Sequence, residues 1–226
     1  MNWPAVWVTL KLATLTTLIL IAIGMPIAYW FAFSCWRWKF LIESVVALPL
    51  VLPPTVLGFY VLIAISPRSP FGSWYQRTFG SALPFTFPGL LFASILYSLP
   101  FVVQPLAAGF AAVDRRLIEA SWTLGISRWA TFIRIILPLS GAGLITGAVL
   151  GFAHTMGEFG VVLMVGGNLQ GVTRTISIDI YDEVQALNYA AAAKTSLALL
   201  LFSFLVLSIT YGINKKRQVG WTGLAK

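Results

Sequence analysis

The sequence has little charge, one histidine and one cysteine. Asp, Glu, Lys and Arg make up only 10% of the 226 residues, where a soluble domain carries roughly a quarter. Cys35 has no partner for an internal disulfide, and Cys35 with His154 cannot assemble a zinc site from those ligand types. His154 has no Ser or Asp at a spacing that reads as a nucleophile and base pair, so no enzyme motif emerges. A net charge of +8 raises nucleic acid as a partner, but the cations fall in short clusters between apolar runs and form no continuous basic face.

What is present is apolar: 58% of the residues are hydrophobic. Five runs carry no Asp, Glu, Lys or Arg, at 12–36, 44–67, 78–113, 135–157 and 195–214. Each reaches the roughly 20 residues that a spanning helix requires. The pattern predicts an all-α integral membrane protein with about five transmembrane helices, near 6–33, 41–65, 87–111, 137–155 and 195–213. These fill a single transmembrane domain over 1–226 and leave no room for a separate soluble catalytic unit, so an energy source must come from another chain. The first apolar run exceeds a signal-peptide core and follows no basic segment, so the first helix is expected to remain as an anchor. Trp3, Trp7, Trp30, Trp36 and Trp38 bracket that helix at both ends, where indole rings favour the lipid–water boundary.

Five crossings sort the loops onto two sides. One carries Arg37, Lys39, Arg115, Arg116, Arg128, Arg134, Lys215, Lys216, Arg217 and Lys226 against Glu43, Asp114 and Glu119. The other carries Lys11, Arg68, Arg77, Arg174 and Lys194 against Glu158, Asp179, Asp182 and Glu183. Cations gather in cytoplasmic loops, which predicts the N-terminus outside and the C-terminus inside. The segment 159–173 holds Gly160, Gly166, Gly167 and Gly171. It is too short to span and is expected to be re-entrant or to lie at the surface.

The inner connection at about 114–134 mixes charge with Leu117, Trp122, Leu124, Ile126 and Trp129. It reads as two short amphipathic helices that reverse at Gly125, suited to docking on a cytoplasmic partner or to lying on anionic lipid. Within it, Glu119-Ala120-Ser121 is followed by Gly125 and, after nine intervening residues, by Ile135, Leu137 and Pro138. This spacing resembles the E-A-A, Gly, I-x-L-P signature of bacterial ABC importer permeases, with Ser121 in place of the third small residue. Three further stretches, 48–58 around Pro49, Pro53, Pro54 and Thr55, 156–160 around Glu158, and 171–176 around Arg174, are similar to the molybdate permeases of that family. Sulfate, thiosulfate and tungstate permeases share the first two.

The resemblance implies a type I ABC importer permease (MetI-like) fold in a bacterial inner membrane, with a cytoplasmic coupling helix and alternating access. It implies a second copy of the chain, two ATP-binding subunits in the cytoplasm and an outer molybdate-binding protein as partners. ATP and magnesium belong to the ATPase, and no cofactor, metal or nucleic acid is expected on this chain. The coupling residues are then Glu119, Ala120, Ser121, Gly125, Ile135, Leu137 and Pro138.

Other residues are read from their own chemistry. Pro49, Pro53 and Pro54 remove three backbone donors and must bend or unwind the second helix, which lipid tolerates where protein or a water-filled cavity supplies partners. They are candidates for a pathway or gate with Thr55, Glu158 and Arg174, or mark a packing kink. Gly143, Gly147 and Gly151 recur every fourth residue and make a close-packing face. Glu158, four residues after His154, suggests a structural turn that accepts backbone N–H groups or meets Arg174, and less a proton relay. Asp179, Asp182 and Glu183 form an acidic outer patch, either solvated or facing a delivery protein. Residues 166–173 look superficially like a P-loop, but Val172 stands where the Lys must be. The competing classes are an integral-membrane enzyme, which needs clustered acids or histidines, and a passive anion channel, which needs cation rings or a filter loop. Neither accounts for the inner-loop signature.

Overall fold

The chain is described here by a computed structural model covering residues 2–222, with side chains through residue 212. Lys226 and the side chains of Lys215, Lys216 and Arg217 lie outside the described residues. The described chain is all-α. Helix α1 (Trp3–Phe33) starts at Asn2, whose side chain accepts the Ala5 N–H and donates to Asp179 at 2.7 Å. Three helices are long and apolar enough to cross a membrane, and the number reaches five if each of two bent pairs is one span.

The first bent pair corrects the expectation of one helix over 41–65. Helices α2 (Lys39–Val51) and α3 (Pro54–Ile65) meet at 115°. A residue before proline is pushed out of the α region. Pro53 and Pro54 do this in tandem, so Leu52 (ψ 137°) and Pro53 (ψ 136°) are both extended, and Pro54 then starts the new helix where a missing N–H costs nothing. Pro49 neither unwinds nor ends the helix: it stays inside α2, buried. The following helix α4 (Pro70–Phe79) is capped by Ser69, which accepts the Gly72 N–H. It sits in a connection the sequence left unassigned.

Helix α5 (Phe87–Ala111) leads to the short helices α6 (Arg115–Thr123) and α7 (Arg128–Thr131). A π turn (Phe132–Ile136), α8 (Leu137–Leu139) and α9 (Gly141–Gly157) follow, with a 72° bend at Ser140. The expected fourth helix over 137–155 is therefore shortened at its start, because Ser140 leaves the helical region (ψ 9°). Next come α10 (Gly160–Gly166), α11 (Ile176–Gln185) and α12 (Tyr189–Thr222). The segment expected at a surface or as a re-entrant loop places Val161, Val162 and Val165 fully inside the protein, on α3 and α5.

The core is the mutual packing of α1, α5 and α9. Leu20, Ala28, Val102, Val103, Leu106 and Phe110 fill it. Glycine permits the approach: a Cβ on Gly143 would lie 2.6 Å from the Pro105 carbonyl oxygen and 2.9 Å from the Gly109 Cα, and one on Gly147 would lie 3.0 Å from the Val102 carbonyl oxygen. The face formed by Gly143, Gly147 and Gly151 thus packs on α5 of the same chain. Helix α12, with Leu197, Leu200, Leu201, Phe204 and Leu205 more than half exposed, turns an apolar surface outward. Trp3 and Trp7 at one end of α1, and Trp36 and Trp38 just beyond the other, are also exposed.

Candidate functional site

Two regions bring together the residues singled out by the sequence. The first is the reversal from α6 to α7. Asp114 caps α6 through its carboxylate and the Arg116 N–H, 2.9 Å apart. The helix stops at Gly125, which sits in the left-handed region at φ +78°. There the Gly125 N–H donates to the Trp122 carbonyl (3.0 Å) and the Ile126 N–H to the Ser121 carbonyl (3.0 Å), so the last turn is closed and the chain reverses. Ser127 then caps α7.

Ser121 does more than fit. It is buried, donates to the Ile118 carbonyl (2.7 Å) and lies 2.8 Å from the Thr131 hydroxyl, clamping α6 to α7. Ser121→Ala should remove this tie at about 1 kcal/mol. Amide exchange across 115–131 should then accelerate about fivefold, while exchange in α5 stays unchanged. On the outer side of this element Leu117, Trp122, Leu124 and Trp129 are exposed, with Leu124 at 80%. Glu119 lines a small cavity of about 160 Å³ with Tyr29, Arg115 and Ile136. Beyond α7, the π turn carries Ile135, and the Leu137 N–H reaches back to the Phe132 carbonyl. Pro138, which offers no N–H, sits in the first turn of α8 immediately after it, and such π insertions are frequent at functional sites.

The second region joins the α2/α3 break to the α9/α10 break. Pro54, Thr55, Tyr97, His154, Glu158 and Gly160 are among the residues lining a cavity of about 620 Å³. Pro54 and Gly160 touch so closely that a Cβ on Gly160 would fall 2.6 Å from the Pro54 Cβ. Glu158 is 4% exposed, and neither carboxyl oxygen has a hydrogen-bond partner. The buried Ser94 hydroxyl faces the same carboxyl but falls outside hydrogen-bonding geometry.

One turn along, Ser98 lies 3.0 Å from His154 Nδ1 and 2.9 Å from Thr155 Oγ1, and Thr155 donates its hydrogen to the Gly151 carbonyl at 2.8 Å. A hydroxyl has one hydrogen to give. Thr155 therefore accepts from Ser98, Ser98 accepts from His154, and the imidazole proton sits on Nδ1. The ring is stacked on Phe101 with centroids 3.8 Å apart. Sequence reasoning missed Tyr97, Ser94 and Ser98. Their signal was two serines four residues apart in an otherwise apolar span.

Arg174 belongs to neither region. Its guanidinium is 3.4 Å from Asp182 and donates to the Asn168 side chain at 2.6 Å, so the expected meeting with Glu158 does not occur, and Arg174 is absent from the cavity wall. The acidic patch is also engaged. Asp179 is buried against Asn2, Asp182 holds Arg174 and Asn168, and Glu183 accepts from Asn188. Pro49 lies inside α2, and Pro53 is the cap of α3 beside the cavity residue Pro54.

Residues 12–219 match the family described as binding-protein-dependent transport system inner membrane component. The chain belongs to that family. Its relatives are transport subunits and not enzymes, and the chain is a multi-pass inner-membrane protein. It is 52% identical over 211 residues, covering 93% of both chains, to the molybdenum transport system permease protein ModB of Azotobacter vinelandii. It is 34% identical to the ModB protein of Escherichia coli strain K12, covering 96% of both. A probable sulfate transport permease, cysT of Chlorokybus atmophyticus, is 32% identical and is covered over 71% of its length by 92% of this chain. Among solved structures, a chain of a bacterial ABC transporter that imports alginate has a TM-score of 0.76 at 16% identity, over 94% of this chain and 78% of that one. A chain of the MetNI methionine ABC transporter in an inward-facing form has 0.73 at 15%, over 96% and 95%. These two likenesses establish the fold.

Proposed function

We propose that this family member is the permease subunit of an ATP-driven importer for molybdate. The observation that carries this reading is the 52% identity, over almost the whole length, to a molybdenum transport permease. The reversal at Gly125 supports the mechanism. A short helix with an exposed apolar and aromatic face, set on a rigid left-handed turn, is a shape that a groove on a cytoplasmic ATPase can push as one body.

In this reading two copies of the chain form the pathway and two ATP-binding subunits sit beneath α6 and α7. An outer protein delivers the oxyanion. The excess of cations on the α6 and α7 side supports a cytoplasmic position for it. ATP draws the ATPase subunits together, α6 follows, and the pathway changes the side to which it opens. The chain's own part is to hold the loop, transmit the movement and line the path, and nucleotide chemistry belongs to its partners.

Liposomes holding this chain with its cognate ATPase provide the test. Hydrolysis of ATP should rise severalfold when outer binding protein loaded with molybdate is added, and less with protein loaded with sulfate. Greater stimulation by the sulfate-loaded protein would reassign the cargo, and no stimulation by any loaded form in an assembled complex would contradict the reading.

A further inference from the structure

A separate space of about 670 Å³ lies between α1 and α7, apart from the cavity that holds Glu158. Its walls divide by chemistry. Ala22, Met25, Pro26 and Tyr29 of α1 and Phe132 of the π turn make an apolar trough, and Arg128 and Trp129 of α7 complete the rim. Ala22, Pro26, Arg128 and Trp129 are exposed, so the trough opens outward from the bundle.

The trough runs along the membrane normal. Tyr29 adjoins Trp30, one of the tryptophans expected at the lipid–water boundary. Ala22 precedes Trp30 by eight residues, which is about 12 Å along a helix. The hydrocarbon of one leaflet is roughly 15 Å thick, so the trough crosses most of a leaflet. Phe132 meets the Tyr29 ring edge to face with centroids 5.5 Å apart and stacks on Trp129 at 5.8 Å. These contacts hold Trp129 and Arg128 at the boundary end.

Arg128 brings a charge that nothing nearby neutralises. No Asp or Glu lines the trough. Among the described residues the Arg128 guanidinium makes no ion pair, and it lies 5.7 Å from the centre of the Trp122 ring. An apolar channel of leaflet depth that ends under a free guanidinium at headgroup level has the division of an anionic phospholipid, with an apolar chain below and a phosphate above. The planar guanidinium also suits the oxygens of a phosphate.

We propose that this trough seats one anionic phospholipid, with an acyl chain along Ala22, Met25 and Pro26 and the phosphate at Arg128. The lipid touches both α1 and α7 and so ties the element beyond Gly125 to a spanning helix. A cytoplasmic ATPase cannot reach the depth of Ala22. An apolar helix of a second copy would fill the trough and leave the Arg128 charge without a counter-ion. The inference needs the chain only as a membrane-spanning member of its family, and no cargo enters its test.

Native mass spectrometry of the full chain in detergent, with phosphatidylglycerol and phosphatidylcholine of identical acyl chains, reads the site. Wild-type protein should retain one phosphatidylglycerol about fivefold more than phosphatidylcholine, the effect of one cation near an anionic headgroup. Arg128→Gln should erase that preference, and Ala22→Trp, which fills the trough, should lower retention of both lipids. Arg37→Gln removes an exposed cation that is absent from the trough wall, and should keep the preference. Equal retention of the two lipids by wild-type protein, a preference undiminished in Arg128→Gln, or an equal loss in Arg37→Gln overturns the site.

A second measurement avoids any bulky or charge-changing variant. A nitroxide attached through Ala22→Cys, in a Cys35→Ser background and a phosphatidylglycerol bilayer, should be relaxed by oxygen dissolved in lipid and not by a water-soluble nickel chelate. Relaxation by the chelate would make the trough aqueous, and relaxation by neither would mean that protein covers it. Either result overturns the proposal.

Discussion

Gly125→Pro should leave the protein inserted, folded and able to assemble, yet reduce binding-protein-stimulated ATP hydrolysis to its unstimulated rate. The left-handed backbone at this residue (φ +78°) lies far from the φ near −65° that a proline ring imposes. Proline also removes the N–H that donates to the Trp122 carbonyl. The reversal opens, the tie between Ser121 and Thr131 loses its geometry, and α6 can no longer move with α7 as one unit. Because nothing lies within 4 Å of where a Cβ would stand, the defect is one of backbone conformation and not of space. Asn adopts the left-handed region with little cost, so Gly125→Asn should retain most of the stimulation. Equal loss in the Asn and Pro variants would mean that the turn matters for another reason.

Gly143→Val should prevent the fold from forming. Its Cβ would meet the Pro105 carbonyl oxygen at 2.6 Å and the Gly109 Cα at 2.9 Å. Both are backbone atoms that cannot swing aside, so α5 and α9 must separate and the core around Val102 and Leu106 opens. Overpacking of this kind costs about 3 kcal/mol or more. The expected result is loss of monodisperse protein in detergent. Gly212→Ala, at a position with no atom within 4 Å of a Cβ, should behave as wild type, and a monodisperse Gly143→Val protein would contradict the packing described here.

The sequence made the apolar spans legible because their signal is length, and lipid thickness leaves few alternatives. It made the reversal at Gly125 legible because one glycine stands between two short amphipathic segments. The α2/α3 break was only half legible. Three prolines all promised distortion, but a lone proline constrains one preceding residue and the helix closes around Pro49 at the loss of one hydrogen bond. Pro53 and Pro54 constrain two residues in succession, and two extended residues end a helix.

The cavity was not legible as a whole. Thr55 and Glu158 were in view as separate motifs, but Tyr97 is 42 residues from one and 61 from the other, and only the packing of α3 and α10 on α5 brings them together. Arg174 misled for the converse reason. A cation on the expected outer side invites an anion, while its real partners, Asn168 and Asp182, become visible only when α11 folds back over the turn that precedes it.

We propose that this chain, driven by a cytoplasmic ATPase, carries molybdate across a membrane. The most direct measurement is the accumulation of labelled molybdate inside sealed proteoliposomes holding the chain, its ATPase and an outer binding protein, with ATP supplied only on the side of α6. Uptake should require ATP and the loaded binding protein together and be abolished by Gly125→Pro. Uptake that proceeds without ATP, or that survives Gly125→Pro at the wild-type rate, would contradict it.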